Sequence, residues 1–216
     1  MTDPALQLAR LHAGICACEA CPLSRTRTQA VPGDGPVTAR IMAIGEAPGE
    51  TEDRVGRPFV GAAGQLLTKL LRGIGLDRSD LYIANVLKCR PPGNRDPEPA
   101  EVEACSHWLD EQVALIRPDV ILLLGRHAVA RLLPGTAGIS RSHGQRVRRG
   151  DRTYVPLYHP AAALYNGGLL RTLEEDMQQV RGYLEEAEEA RRQAAAAAAA
   201  AEVVATAEPR EQLSLF

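Results

Sequence analysis

Four runs of β-branched and apolar residues stand out along the chain: ARIMAIG at 39–45, LYIANVLK at 81–88, DVILLLG at 119–125 and TYVPLYH at 153–159. Between them the apolar positions recur every three or four residues. GAAGQLLTKLLRGIGL, EPAEVEACSHWLDEQVALIRP and GRHAVARLLPG carry this helical spacing, and each stops at a glycine or a proline. Strands alternating with helices indicate parallel β-α units and so a layered α/β sheet. In such sheets ligands bind beyond the carboxyl ends of the strands. Gly45, Asn85, Gly125 and His159 all fall at those ends.

After about residue 185 the pattern is lost. EEAEEARRQAAAAAAAAEVVATAEPR is alanine and charge with almost nothing large to bury, so residues 186–210 read as a partly helical, mobile linker. EQLSLF then adds three large apolar side chains, costly to expose unless they dock. The expected division is a globular domain at 1–185, the linker at 186–210 and a docking peptide at 211–216. A hydrophobic content of 45% suits one such domain, and with two Phe, five Tyr and one Trp its core must be mostly aliphatic. A net charge of −2 excludes a polycation, so any nucleic-acid surface must be a local patch. The cations are nearly all Arg, Lys69 and Lys88 being the only lysines. No signal peptide and no membrane span is discernible, and the chain reads as a cytoplasmic protein without membrane attachment.

Five cysteines in a reducing compartment point to ligands or buried thiols rather than disulfides. Cys18 and Cys21 form a C-x-x-C pair followed by Pro22; Cys89 ends the second apolar run and Cys105 lies in the next helix. Fifteen residues separate the second pair, which excludes a simple zinc ribbon. The spacing permits a four-thiolate site for zinc or an iron–sulfur cluster. Cys16 is left over.

Together, CEACPL, GEAPGETEDRVGRPFVGAAGQLL, YIANVLKCRPPGNRDPEPAEVEAC, PDVILLLG and YHPAAAL resemble the iron–sulfur (family four) uracil-DNA glycosylases over about residues 16 to 182. The resemblance implies a three-layer α/β/α sandwich with a central four-stranded parallel sheet, and excision of uracil from DNA to leave an abasic site. It also implies a 4Fe-4S cluster held by Cys18, Cys21, Cys89 and Cys105.

The same resemblance assigns the glycine-rich turn after the first strand. With Glu46 at its start and no Lys or Ser/Thr in phosphate-binding order, that turn holds a flipped base rather than a phosphate. Phe59 matches the residue that stacks on the base. Asn85 matches the one that reads it, its amide facing uracil O4 and N3–H. Because an amide can rotate to suit cytosine, a neighbour is expected to lock it. His159 matches the catalytic histidine, a donor to the departing uracil. Glu46 is expected to orient a water or support the sugar cation. Ala47 stands where better-known uracil glycosylases carry an aspartate, and Gly49 where they carry a bulky residue against thymine, which leaves thymine exclusion open. His12, His107 and His127 are expected to be surface or packing residues, and His143 to touch a phosphate.

DNA contacts are expected from SRSHGQRVRRGDR at 140–152, where Arg141, Arg146, Arg148, Arg149 and Arg152 face one Asp; the alternative is a solvated hairpin. Leu164 and Tyr165 are placed to wedge into the gap left by the flipped base. Finally, QLSLF resembles the peptide by which bacterial repair enzymes bind the sliding clamp, with Gln212, Leu213, Leu215 and Phe216 matching. The chain is thus expected to act as a monomer on uracil-containing DNA, with the clamp as a partner. A non-catalytic iron–sulfur module tethered to the clamp is the alternative, but it would need neither Asn85 nor His159.

Overall fold

The computed structural model describes residues 3–206. Helix α1 (Pro4–Ala17) leads to strand β1 (Ile41–Gly45). Helices α2 (Glu50–Val55) and α3 (Ala62–Arg72) follow, then β2 (Leu81–Asn85), α4 (Pro99–Ile116), β3 (Val120–Leu124) and α5 (Arg126–Leu132). The chain continues through α6 (Ile139–Ser142), β4 (Val147–Arg149), β5 (Arg152–Leu157), α7 (Pro160–Ala163) and α8 (Gly167–Thr206). Among the described residues no helix is long and apolar enough to cross a membrane.

The sheet order is β2-β1-β3-β5-β4. The first four strands are parallel, as expected, but the sheet has five strands and not four. The extra one is β4, antiparallel to β5, and it comes from the Arg-rich stretch. Its alternation is too short to read in sequence, and Gly150, at φ +62°, closes the hairpin. Every residue of β1, β2 and β3 is buried, the continuous apolar pattern of strands covered on both faces.

Side chains of β1 alternate between two cores. Ile41 and Ala43 join Leu67, Leu71, Met177 and Val180 on the face covered by α3 and α8. Met42 and Ile44 join Leu8, Leu109, Val113 and Val129 under α1, α4 and α5. These are the two outer layers of the sandwich. Capping matches the sequence signals: α3 stops at Gly73, and α4 starts at Pro99 with Glu98 and Glu101 in a capping box. The second apolar run leaves the ladder early, β2 ending at Asn85 rather than continuing to Lys88.

The alanine-rich segment continues α8 as helix through residue 206. The clamp-like peptide with Gln212, Leu213, Leu215 and Phe216 lies outside the described residues.

Candidate active site

Register sets the floor of the site. Gly45 and Asn85 are partners across β1 and β2, so both strands end level. A Cβ at Gly45 would lie 2.5 Å from Asn85 Oδ1 and 2.6 Å from the Phe59 ring; only a glycine lets the two side chains converge here. Phe59 is one of three described non-glycine residues with positive φ, at +51°. Such strain persists only where the surroundings hold it, and here they do. Arg78 donates to the Phe59 carbonyl at 2.8 Å and also to that of Pro58, and it is itself paired with Asp34. Gly64, two residues into α3, leaves room for that carbonyl, which a Cβ would meet at 1.8 Å.

His159 follows β5 and caps α7. Its ring stands 5.6 Å from that of Phe59, tilted by 31°. Its Nδ1 accepts the Ala161 N–H at 3.2 Å. Burial pulls its pKa down to about 4, only partly opposed by Glu52. The ring is therefore neutral near pH 7, and with Nδ1 accepting, its proton sits on Nε2. These groups line one cavity of about 290 Å³ with Glu46, Ala47, Gly49, Glu52 and Arg95.

Asn85 is 2% exposed, and its Oδ1 has no hydrogen-bond partner. No neighbouring side chain bonds its amide among the described residues, so the expected lock is not formed. A buried, unpaired carbonyl oxygen costs about 1–3 kcal/mol, a deficit a ligand donor can remove.

Two site residues escaped sequence reasoning. His127 was expected to be a surface or packing residue. Its Nε2 lies 3.7 Å from Glu46 Oε2 and 3.5 Å from Asp96 Oδ1, with Arg126 paired to Asp96. Burial raises the Glu46 pKa and Asp96 adds to it, while His127 and Arg126 work against it. The only signal for His127 was its place just past a strand end. Glu52 is the other. Its Oε1 accepts the Val60 and Gly61 amides at 3.0 and 2.8 Å, and its Oε2 fills the space above Gly49, 2.8 Å from where a Cβ would sit.

The Arg-rich hairpin is less available than its composition suggests. Arg146 is ion-paired with Glu186 and lies over Tyr183, and Arg149 reaches the carbonyls of Leu132 and Pro134. Arg152 has a buried Nε, and His143 turns inward to Asp176 at 2.9 Å. Arg141 and Arg148 have no ion-pair partner among the described residues. Beyond α7, Leu164 is 37% and Tyr165 96% exposed.

On the far side of β2, Cys18, Cys21, Cys89 and Cys105 line one small cavity, and the exposed Cys16 does not. Among the described residues the one set of three metal-capable groups with ligand atoms within 4.8 Å of each other is Glu46, Asp96 and His127. No three of the four thiols form such a set among the described residues. Four thiols lining one cavity are a donor set of the kind a four-thiolate cluster takes. Trp108 Nε1, buried without a partner on the same cavity, also lacks the acceptor that such a cluster offers.

The profile of the Uracil DNA glycosylase superfamily matches residues 32–185. The chain belongs to that superfamily. It is 45% identical over 183 residues to the type-4 uracil-DNA glycosylase of Sulfurisphaera tokodaii, covering 81% of this chain and 83% of that one. The type-4 uracil-DNA glycosylase of Saccharolobus solfataricus is 48% identical over 174 residues (76% and 80%), and that of Thermotoga maritima 44% over 171 (77% and 89%). The uracil-DNA glycosylase superfamily match spans both the base cavity and the strand ends that build it.

Proposed function

We propose that the protein excises uracil from DNA, hydrolysing the N-glycosidic bond to leave an abasic site. The observation that carries this reading is the unpaired Asn85 Oδ1 in a cavity shared with an aromatic face and a neutral imidazole. Uracil N3–H supplies the donor that Oδ1 lacks, and the amide N–H meets O4. Phe59 stacks on the ring. His159, with its proton on Nε2, donates to O2 as negative charge develops on the departing base; a preorganised donor of this kind is worth about 3 kcal/mol. Glu46, ionised, orients the attacking water and supports the positive sugar, a role Ala47 has no group to fill. The Glu52 carboxylate over Gly49 occupies the space for a methyl group and excludes thymine. Leu164 and Tyr165 fill the gap in the duplex, and Arg141, Arg148 and, on release from Glu186, Arg146 contact phosphates.

Cys18, Cys21, Cys89 and Cys105 would hold a 4Fe-4S cluster. When bound, the cluster ties the end of α1, the exit from β2 and the face of α4 into one unit. Burial raises the Cys105 thiol to about 11, so loading the site must expel its proton. Gln212, Leu213, Leu215 and Phe216 dock on a sliding clamp.

Incubation with an oligonucleotide carrying one uracil, then alkaline cleavage of abasic sites, tests the activity. Strand cleavage at the uracil position alone is expected; an intact strand overturns the reading. Iron should fall on replacing any of the four ligand cysteines with Ala and remain in Cys16→Ala.

A further inference from the structure

Lys88 is 1% exposed. A buried ammonium is costly unless negative charge faces it, yet among the described residues no carboxylate pairs with this one. Its Nζ donates to the Asn85 carbonyl at 2.8 Å and to Gln112 Oε1 at 2.6 Å, both neutral. The polar chain behind Gln112 is uncharged as well. Gln112 Nε2 donates to the Pro32 carbonyl and to the Tyr82 hydroxyl, which meets His12 at 2.6 Å, and burial holds His12 below its ordinary pKa. The other side of Lys88 lines the cysteine cavity, where its backbone N–H donates to Cys105 Sγ at 3.3 Å.

A second cation converges on the same place. Arg27 donates from Nη1 to Cys89 Sγ at 3.0 Å and from Nη2 to the Cys16 carbonyl at 2.8 Å, and it has no carboxylate partner among the described residues. Two cations without carboxylate partners among the described residues thus flank one group of thiols: Arg27 touches Cys89 directly, while Lys88 meets Cys105 through its backbone and its ammonium acts on that thiol only at a distance.

We propose that Lys88 and Arg27 are the counter-ions of the four-thiolate iron–sulfur cluster, and that Lys88, through the Asn85 carbonyl, makes the base-reading strand end depend on that cluster. The inference rests on the cluster assigned under Proposed function. A dipositive core with four thiolates is a dianion, which two cations neutralise. Lys88 is a positioning residue: it touches neither base nor sugar, but fixes the backbone that carries the Asn85 amide. Arg27 shares the electrostatic role and not the positioning one.

The test uses holoprotein: wild type, K88M, R27Q and, as a control, the exposed-site variant K69M. Positive charge and N–H donors near a cluster favour its reduced form. The midpoint potential should therefore shift to more negative values in K88M and R27Q, and both should lose iron to a chelator faster than wild type. Binding to a uracil-containing oligonucleotide should weaken roughly tenfold in K88M, about the loss of one good base contact, and stay at the wild-type value in R27Q. Should K88M fail to accumulate, K88R keeps the charge but displaces the contact, so it should keep the potential and lose the binding. Iron in all variants with potentials equal to K69M overturns the counter-ion assignment. Undiminished uracil binding in K88M overturns the positioning role. A wild-type protein without iron overturns the cluster assignment itself, a separate result.

Discussion

Asn85 holds the one described buried side-chain oxygen without a partner, while His159 has Nδ1 held by the Ala161 amide, which leaves Nε2 for the proposed donation. The two should fail differently. Asn85→Ala removes base recognition, worth about 1–3 kcal/mol, so its binding preference for a uracil site over plain DNA should shrink. His159→Gln should keep that preference and lose about 10²–10³ in single-turnover rate, because its contact strengthens only as charge builds on the base. In the proposed mechanism Glu46 should set the pH dependence. Its pKa is raised, so the single-turnover rate should rise with pH along a limb displaced above the ordinary carboxylate range. Since His127 works against that shift, His127→Gln should move the limb further up, and Glu46→Gln should abolish it. His159 contributes to stability with the opposite origin. Its folded pKa, near 4, is below its ordinary value, so only the unfolded chain takes up the proton between about pH 6.5 and 4. Stability should fall as pH drops through that window, and His159→Gln should flatten the curve in chemical denaturation.

At the scale of elements, the strained Phe59 turn depends on α3 approaching without side chains. Gly64→Ala would drive a methyl into the Phe59 carbonyl at 1.8 Å, a backbone clash that no rotamer relieves. It should lower the melting temperature by several degrees, as overpacking of about 1–3 kcal/mol does, and cost uracil affinity even where the fold survives. Elements were legible in the sequence where burial on both faces left unbroken apolar runs, as in VILLL of β3, or where Gly73 and Pro99 marked helix ends. The strand ends at Asn85 and His159 were legible from the apolar runs before them, and the structure brings both onto one cavity, whereas the roles proposed for them come from the family resemblance. What was not legible depended on encounters across the fold. Nothing in GRHAVARLL indicates that His127, in the first turn of α5, will face Glu46 beyond β1, and the spacing of five arginines does not reveal that Glu186 of α8 pairs with one of them. Composition counted charge but not its partners. The short β4 escaped because three residues, one half-buried and two exposed, carry no readable period.

For the whole molecule, the proposed roles of the cavity and of the C-terminal peptide are separable, one in chemistry and one in address. Deleting residues 211–216 should leave excision on a short naked oligonucleotide unchanged while abolishing co-elution with a sliding clamp and stimulation by clamp-loaded DNA. Retained clamp binding by the truncated protein would assign docking to another surface.

Helix α8 extends well beyond the core. Leu173, Met177 and Val180 anchor its first half in the core, whereas residues 188–201 are exposed throughout. Forty residues at about 1.5 Å each make a rod of about 60 Å. A rod, unlike a string, has an azimuth: each residue added turns everything beyond it by about 100°. Two extra alanines in the exposed half would swing the last described turn of the helix to nearly the opposite side of its axis while lengthening it by only about 3 Å, whereas seven would return it close to its original heading. Any partner held at the far end of α8 would therefore respond to the phase of the insertion and not to its length.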